Sequence, residues 1–377
     1  MSRFRELLDR PGATYNFNGQ TGRYPEIKMV WWAGGNPFHH HQDLNELSAA
    51  WERPDTVVVQ EPFWTPTARR ADIVLPSTTP LERNDLGGAE NMLISHGRAV
   101  DPPGYALDDY QILVMVAERM GVKDQFTEGR TADQWVEVLY EIFRAENDWA
   151  PSYEEFREVG YLRYPEMNEM GENEQVFLAE YRSDPTVHPL GTPSGRIELW
   201  SETIAQFDYD DCPPHPTWME PFERLGGEGS ERWPLHLVSN QPTVRLHSQY
   251  DHTEPSQGSK VAGREPIRIH PQIAEERGIS DGDVVRVYND RGSCLAGALI
   301  DDSLMPEVVQ LSTGAWYDPD ADGMCRAGNP NVLTRDKGTS QLAQGPSAHT
   351  CLVDIERFEG PAPRVESYDP PRFADHE

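Results

Sequence analysis

Between a strand-like run, IKMVWW (27–32), and a helical stretch, DLNELSAAW (43–51), lies AGGNPFHHHQD (33–43). Junctions of this kind, where a strand ends and a helix begins, are where open α/β sheets bind ligands. Gly34 and Gly35 permit close backbone approach, and a helix N-terminus offers free N–H groups and a positive dipole end to an anion such as a pyrophosphate. The spacing is neither G-x-G-x-x-G nor that of a P-loop, so an ordinary NAD or ATP site gains little support, and a tight turn with a capped helix is the plainer alternative. His39, His40 and His41 are adjacent, so their side chains diverge and cannot all meet one ion. A loop histidine bonded to a phosphate or purine suits them better than a metal. Glu61 closes the next strand, TVVVQ (56–60), where an acidic side chain can accept hydrogen bonds from ribose hydroxyls; an ordinary loop carboxylate is the alternative. LERND (81–85) follows a third strand, ADIVLPST (71–78), and brings Arg83 to the same sheet edge, to meet phosphate bidentately or to pair with Glu61.

Two later stretches share this polar character. SNQPTVRLHSQ (239–249) follows directly on PLHLVS (234–239) and gathers Ser239, Asn240, Gln241, Arg245, His247, Ser248 and Gln249, all able to donate or accept hydrogen bonds. AGNPNVLTRDKGTSQLAQGPSAHT (327–350) is Gly-rich and polar as well. Both read as ligand-binding loops, with a solvated loop as the alternative for each. No G-x-S-x-G, H-E-x-x-H or nucleophile–base pair is present, so hydrolysis has no residues to stand on. Cys212, Cys294, Cys325 and Cys351 are far apart with no C-x-x-C, which excludes a zinc knuckle and an iron–sulfur run.

The elements that position these residues fall into parts. Strands alternating with helices up to about residue 160 mean βαβ units and a parallel sheet. A helix starts near Asp108, with an apolar face of Ile112, Leu113, Met115, Val116 and Met120, and stops at Gly121. Capping boxes, Thr131 with Gln134 and Ser152 with Glu155, open two more. Residues 161–232 read as an irregular connection between domains, rich in turn formers such as GENEQ (171–175), with only RIELW (196–200) strand-like. From 233 to 357 the short strands PLHLVS, PIRIH, DVVRVYND, SCLAGALI and EVVQLS, with the NDRG (289–292) turn and the helix PQIAEERG, suggest a compact closed barrel. Residues 358–377 read as a Pro-rich surface tail.

Composition narrows the partners. Among 377 residues, 63 Asp and Glu face 33 Lys and Arg, a net charge of −30. Nucleic acid and anionic membranes need clustered positive charge, so neither is the main partner. No stretch approaches the roughly 18 apolar residues of a membrane span. Met1 leads into SRFRELLDRPGATYNFNG, which has neither a twin-arginine signal nor an apolar h-region and looks like the start of an internal fragment.

WWAGGNPFHHHQDLN, followed by VVVQEPFWTPTARRADIVLPSTTPLERND, closely resembles the molybdopterin oxidoreductases of the dimethyl-sulfoxide reductase type, in the branch of the trimethylamine-N-oxide, dimethyl-sulfoxide and biotin-sulfoxide reductases. The resemblance resumes at TPSGRIELWSE, RLHSQ, VAGREPIRIHP, RGISDGDVVRVYNDRG, GAWYDP, GNPNVLT and TSQLAQGPSAHT, covering about 24 to 356. It implies an α/β Rossmann-like parallel-sheet domain (1–160, partial) followed by a double-psi β-barrel domain (233–357). It also implies a molybdenum cofactor, bis(molybdopterin guanine dinucleotide). The matching contact positions are Asn36, His40, Gln60, Glu61, Arg83 and Asp109, then Ser239, Asn240, Gln241, His247, Ser248, Asn331 and His349. Trp316 and Tyr317 line a substrate funnel or simply pack the barrel. The family's molybdenum-ligating serine and first pterin walls lie on a long N-terminal part with no counterpart here. The resemblance therefore implies the C-terminal portion of an S-oxide or N-oxide reductase, needing the missing N-terminal half or a subunit supplying it, plus an external electron donor. The parent enzyme would be periplasmic by its family, with the cytoplasm as the alternative because this chain carries no signal. A non-catalytic molybdopterin-dinucleotide-binding subunit or carrier is the rival reading.

Overall fold

The dipeptide Asn18-Gly19 suits a two-residue hairpin turn, in which both central residues take a left-handed φ. Asn18 (φ 48°) and Gly19 (φ 75°) do so and join β1 (Thr14–Phe17) to β2 (Gln20–Arg23) in an antiparallel pair. The sequence reading assigns no strands there. The computed structural model describes residues 3–89, 91–165 and 176–371; GENEQ and the tail beyond 371 lie outside them.

The three expected strands form one sheet. β3 (Met29–Ala33), β4 (Thr56–Glu61) and β5 (Ile73–Pro76) run parallel in the order β3-β4-β5. The central β4 buries Val57, Val58, Val59 and Gln60 in succession, as a strand covered on both faces must. A second, unexpected sheet is antiparallel: β6 (Asp85–Ala89), β7 (Met92–His96) and β8 (Tyr161–Arg163). Helices Asp109–Arg119, Ala132–Ala145 and Tyr153–Val159 each begin with a reciprocal capping box, at Asp108/Gln111, Thr131/Gln134 and Ser152/Glu155. The apolar face expected on the first of these is narrower than its sequence suggests. Ile112 is buried, but Leu113, Met115 and Met120 are exposed, because Ile112 and Ala117 set the inward direction.

The barrel closes from β9 (Leu235–Val238), β10 (Pro266–Ile269), β11 (Val284–Tyr288), β12 (Ser293–Ile300), β13 (Val308–Leu311) and β14 (Leu352–Arg357), in the order β10-β12-β11-β14-β9-β13. Period-two burial points Leu235 and Leu237, Ile267 and Ile269, Val285 and Val287, Val309 and Leu311 inward. The β9/β13 and β10/β12 pairs are parallel, and the other pairs antiparallel. The 289–292 turn joins β11 to β12 as expected, whereas β14 was not read from the sequence. RIELW forms no strand and pairs with no sheet edge among the described residues; Ile197, Leu199 and Trp200 are exposed, and the Trp200 ring stacks on His215 at 5.7 Å. All four cysteines are free.

The chain divides into two compact units: Met1–Val59 with Trp64–Ile73 and Leu199–Glu377, and Gln60–Phe63 with Val74–Glu198. The first sixty or so residues thus cluster with the barrel rather than with 74–160, the part to which the sequence reading assigns them. The physical reason is packing: Phe38 stacks on Tyr317 at 5.8 Å, and the Asn329 amide donates to the Phe38 carbonyl. Residues 358–371 are likewise fastened down rather than loose on the surface. Ser367 is buried, and the Glu366 N–H donates to the Asp318 carboxylate at 2.9 Å.

Inside β12, Gly297 stands against the Val261 carbonyl, which an added Cβ would meet at 2.3 Å. Backbone cannot move aside as a side-chain end can, so Gly297→Ala should destabilise the barrel by about 1–3 kcal/mol. A shift of the urea midpoint at unchanged slope is the expected result.

Candidate functional site

In the larger unit the site is built around the segment leaving β3. Gly34 and Gly35 hold left-handed φ of 70° and 75° and expose their backbone, with no neighbour crowding Gly34. A single turn, Pro37–His40, and then helix Leu44–Trp51 follow. The expected helix stands at Leu44–Trp51, but a one-turn helix precedes it, whose His39 and His40 N–H groups already bond the Asn36 carbonyl. Asn36 is fixed on both ends of its amide: it donates to Ser248 Oγ at 3.2 Å and accepts from the Thr67 hydroxyl at 2.7 Å. The loop after β13 clamps the turn from another side. Asn331 donates to the His39 carbonyl, and the Thr334 hydroxyl holds the other end of the Asn331 amide at 2.7 Å.

What this clamping leaves over is a run of buried polar atoms. His39 Nδ1, His40 Nε2, both ring nitrogens of His41, Gln42 Oε1 and Asp43 Oδ1 have no hydrogen-bond partner among the described residues. Buried polar groups nearly always find partners, and leaving one without costs about 1–3 kcal/mol. Six such atoms within five consecutive residues suit a ligand rich in donors and acceptors. Among the described residues no group of three or more His, Cys, Asp or Glu converges to hold a metal ion. Burial pushes the His39 and His41 imidazoles down to about 3, His39 with help from the neighbouring His40 and His247, so both are neutral near pH 7.

Of the barrel-side residues, Ser248, Asn331 and His247 meet this turn. His247 is exposed rather than pointing into the core, yet its ring lies 5.6 Å from that of His39. Asn240 is held by the Ser312 hydroxyl and the Thr313 N–H, while Ser239 is half-buried and Gln241 exposed. Asn331 is buried and His349 exposed. Trp316 and Tyr317 are packed in: the Tyr317 hydroxyl donates to Asn45 at 2.7 Å, and the Arg70 guanidinium lies 4.6 and 4.7 Å from the Phe38 and Tyr317 rings. Beneath this loop sits a buried charge quartet absent from the sequence reading. Arg245 and Lys260 pair with Asp251 and Glu265 at 2.6–3.4 Å, every side chain at most 2% exposed. Charged partners five to twenty residues apart carry no sequence signature of convergence.

The smaller unit holds a second group. The Gln60 amide donates to the Asp109 carboxylate. Burial, then the Asp109 charge, pushes the Glu61 carboxyl up to about 7, against the Phe63 N–H that holds it down. Arg83 does not pair with Glu61; it bonds Asp85 at 3.0 Å and the Thr78 carbonyl at 2.7 Å, because the turn after β5 brings these closer. It lines a polar cavity of about 460 Å³ with Arg98, Asn84 and the capped starts of two helices.

Two pH effects follow with opposite signs. As pH falls below 6.5 the unfolded chain protonates its histidines before the fold does, so stability present above 6.5 is lost towards about 3. His41→Phe, which keeps ring packing against Phe4 and Trp32, should flatten part of that loss in denaturant melts at pH 7 and 4. For Glu61 the unfolded carboxyl ionises first, so its contribution is intact below 4.5 and is lost as pH rises through about 7. Glu61→Gln should gain stability relative to wild type at pH 8 and show no such gain at pH 4.

The family model for the molydopterin dinucleotide binding domain matches residues 235–352, and that for molybdopterin oxidoreductase matches residues 14–119. The chain is 46% identical to the dimethyl sulfoxide/trimethylamine N-oxide reductase of Cereibacter sphaeroides over 99% of its own length and 46% of that protein's. The trimethylamine-N-oxide reductase of Haemophilus influenzae matches at 46% over 99% of this chain and 46% of its own. For the biotin sulfoxide reductase of C. sphaeroides the figures are 46% identity, 98% of this chain and 50% of that protein. The chain thus spans about half the length of the curated relatives it matches. Among solved structures, acetylene hydratase from Pelobacter acetylenicus shares the fold, with a TM-score of 0.68 at 19% identity over 89% of this chain and 45% of that one. Residues 14–119 thus match the molybdopterin oxidoreductases and residues 235–352 their molydopterin dinucleotide binding domain, in a chain similar along almost its whole length to reductases of dimethyl sulfoxide, trimethylamine N-oxide and biotin sulfoxide.

Proposed function

We propose that this chain holds a molybdenum cofactor carrying two molybdopterin guanine dinucleotides, and that the whole protein reduces S-oxides or N-oxides. The observation that carries this reading is the run His39–Asp43, where six buried polar atoms lack partners among the described residues. When bound, such a cofactor would supply the two-electron couple that oxygen-atom transfer needs. The net reaction takes the oxide, two electrons from an external donor and two protons to the sulfide or amine and water.

The chain's own part is to bind and orient. Asn36, His40, Ser239, Asn240, Gln241, His247, Ser248, Asn331 and His349 form the set offered by the larger unit, and Gln60, Glu61, Arg83 and Asp109 that offered by the smaller. The neutral imidazoles of His39 and His41 present donors and acceptors without adding charge to a site meant for phosphates. Glu61, poised near neutrality, can accept from a ribose hydroxyl when ionised. In this reading the parallel strands β3–β5 belong to a Rossmann-like domain and the six-stranded barrel is a double-psi barrel. A cofactor with two dinucleotides needs walls on several sides, so a further polypeptide segment completes the envelope. The setting proposed for the whole protein is periplasmic, by resemblance to its family; among the described residues no helix is long and apolar enough to cross a membrane.

His247 is exposed in the chain alone and would be covered by the bound cofactor; losing a hydrogen bond buried in that way costs about 1–3 kcal/mol, so His247→Ala should weaken cofactor retention roughly tenfold or more. Molybdenum per chain and guanine nucleotide released by acid, both at limiting cofactor, are the measurements. Equal occupancy in variant and wild type would count against the site. A whole protein that carries the cofactor yet reduces neither class of oxide with reduced viologen would sink the reductase reading alone.

A further inference from the structure

The segment after β14 reaches into the centre of the larger unit. The Tyr368 hydroxyl donates to Asp251 Oδ2 at 2.8 Å, and its ring lies 5.7 Å from that of Trp316. The same Oδ2 takes the Trp316 backbone N–H at 3.0 Å, while the Trp316 indole N–H donates to the Ser248 carbonyl at 2.9 Å. Ser248 Oγ in turn accepts from Asn36. One line of hydrogen bonds therefore runs from residue 368 to two members of the proposed cofactor set.

The rest of the segment is fastened along its length. The Arg264 guanidinium bonds the Pro363 carbonyl, the Glu366 N–H bonds Asp318, and the Glu366 carboxylate lies 3.2 Å from Arg326. We propose that residues 363–368 are a strap and Tyr368 a positioning residue, whose phenol acts through Asp251 to fix Trp316 and Ser248 where the dinucleotide is held. The proposal rests on the reading of Ser248 as a cofactor contact.

The chemistry of Asp251 says why the phenol matters. Its Oδ1 receives Ser256, Lys260 and Arg245, all from neighbouring chain, so this oxygen only ties the loop to itself. Oδ2 alone reaches out, and its two donors are Trp316 and Tyr368. Without the phenol the carboxylate keeps one outward donor against a set of inward ones and can turn towards Lys260. The loop it steadies is strained, since His247 and Tyr250 stand at φ 52° and 57°, a conformation that persists only when its surroundings impose it. Burial, reinforced by the Asp251 charge, raises the Tyr368 phenol, so it stays a donor.

Tyr368→Phe keeps the ring against Trp316 and removes one donor. In the full chain, amide hydrogen exchange at Ser248 and Trp316 should quicken about tenfold, the effect of losing one hydrogen bond of ordinary strength. Exchange in β11 and β12 and the melting temperature should stay close to wild type. In the cofactor-loaded protein, molybdenum and guanine should then leave several-fold faster on dilution. Unchanged exchange at Ser248 and Trp316 would overturn the strap, and so would faster exchange spread evenly over the barrel, the mark of a merely structural residue. Local quickening with wild-type cofactor loss would overturn the link to the cofactor. If Asn36→Ala and His247→Ala also retain cofactor normally, the fault lies with the reading of the site and not with the strap.

Discussion

Four buried charges organise the larger unit. Arg245, Lys260, Asp251 and Glu265 sum to zero, which is what allows them to be buried at all. Removing one member would leave its partner charged and uncompensated, a loss of roughly 3–5 kcal/mol. Arg245 does more than balance charge. It bonds the His247 carbonyl at 3.2 Å, the Thr313 carbonyl at 3.0 Å and the Ser256 hydroxyl, so the end of β13 and the 245–256 loop share one guanidinium. At that junction only glycine fits: Gly314 takes φ 100°, and a Cβ there would stand 1.9 Å from the His247 carbonyl. The positions of His247 and Ser248 are consequences of this network.

The histidine run depends on the same frame but solves the opposite problem. The quartet satisfies every charge internally, whereas residues 39–43 keep polar atoms unsatisfied inside a well-packed shell of Phe4, Trp32, Phe38 and Trp51. Such atoms reduce stability, and proteins retain them where a ligand repays the loss. The surrounding aromatics hold the turn rigid, so the donors and acceptors are aimed before anything binds. Preorganisation of that kind shifts the ordering cost from binding to folding.

Local patterns were legible in the sequence and long-range convergence was not. The strands at IKMVWW, TVVVQ and ADIVLPST, two capping boxes, the 289–292 turn and five of the six barrel strands follow from periodicity and turn chemistry over a few residues. The β1/β2 hairpin had its signal in Asn18-Gly19, which only needed reading. RIELW misled because an apolar alternation makes a strand only where a partner edge exists. The polar loops were visible as composition, and the family resemblance supplied residue positions. Neither source could show that Arg83 gives its donors to Asp85 and Thr78, or that Tyr368 meets Asp251, 117 positions earlier in the chain.

The closed barrel also sets a timetable. β9 begins at Leu235, but one of its two neighbours is β14, with His236 opposite Leu352. During synthesis at roughly 5–20 residues per second, β9 therefore waits on the order of ten seconds for that edge to arrive. Its other neighbour, β13, pairs with it in parallel and also comes late in the chain. Until both have left the ribosome, Leu235 and Leu237 belong to a strand with two open edges, the form most ready to pair with another nascent chain. A fold whose first barrel strand is completed by its last depends on the cell to keep that interval quiet, whatever the stability of the finished protein.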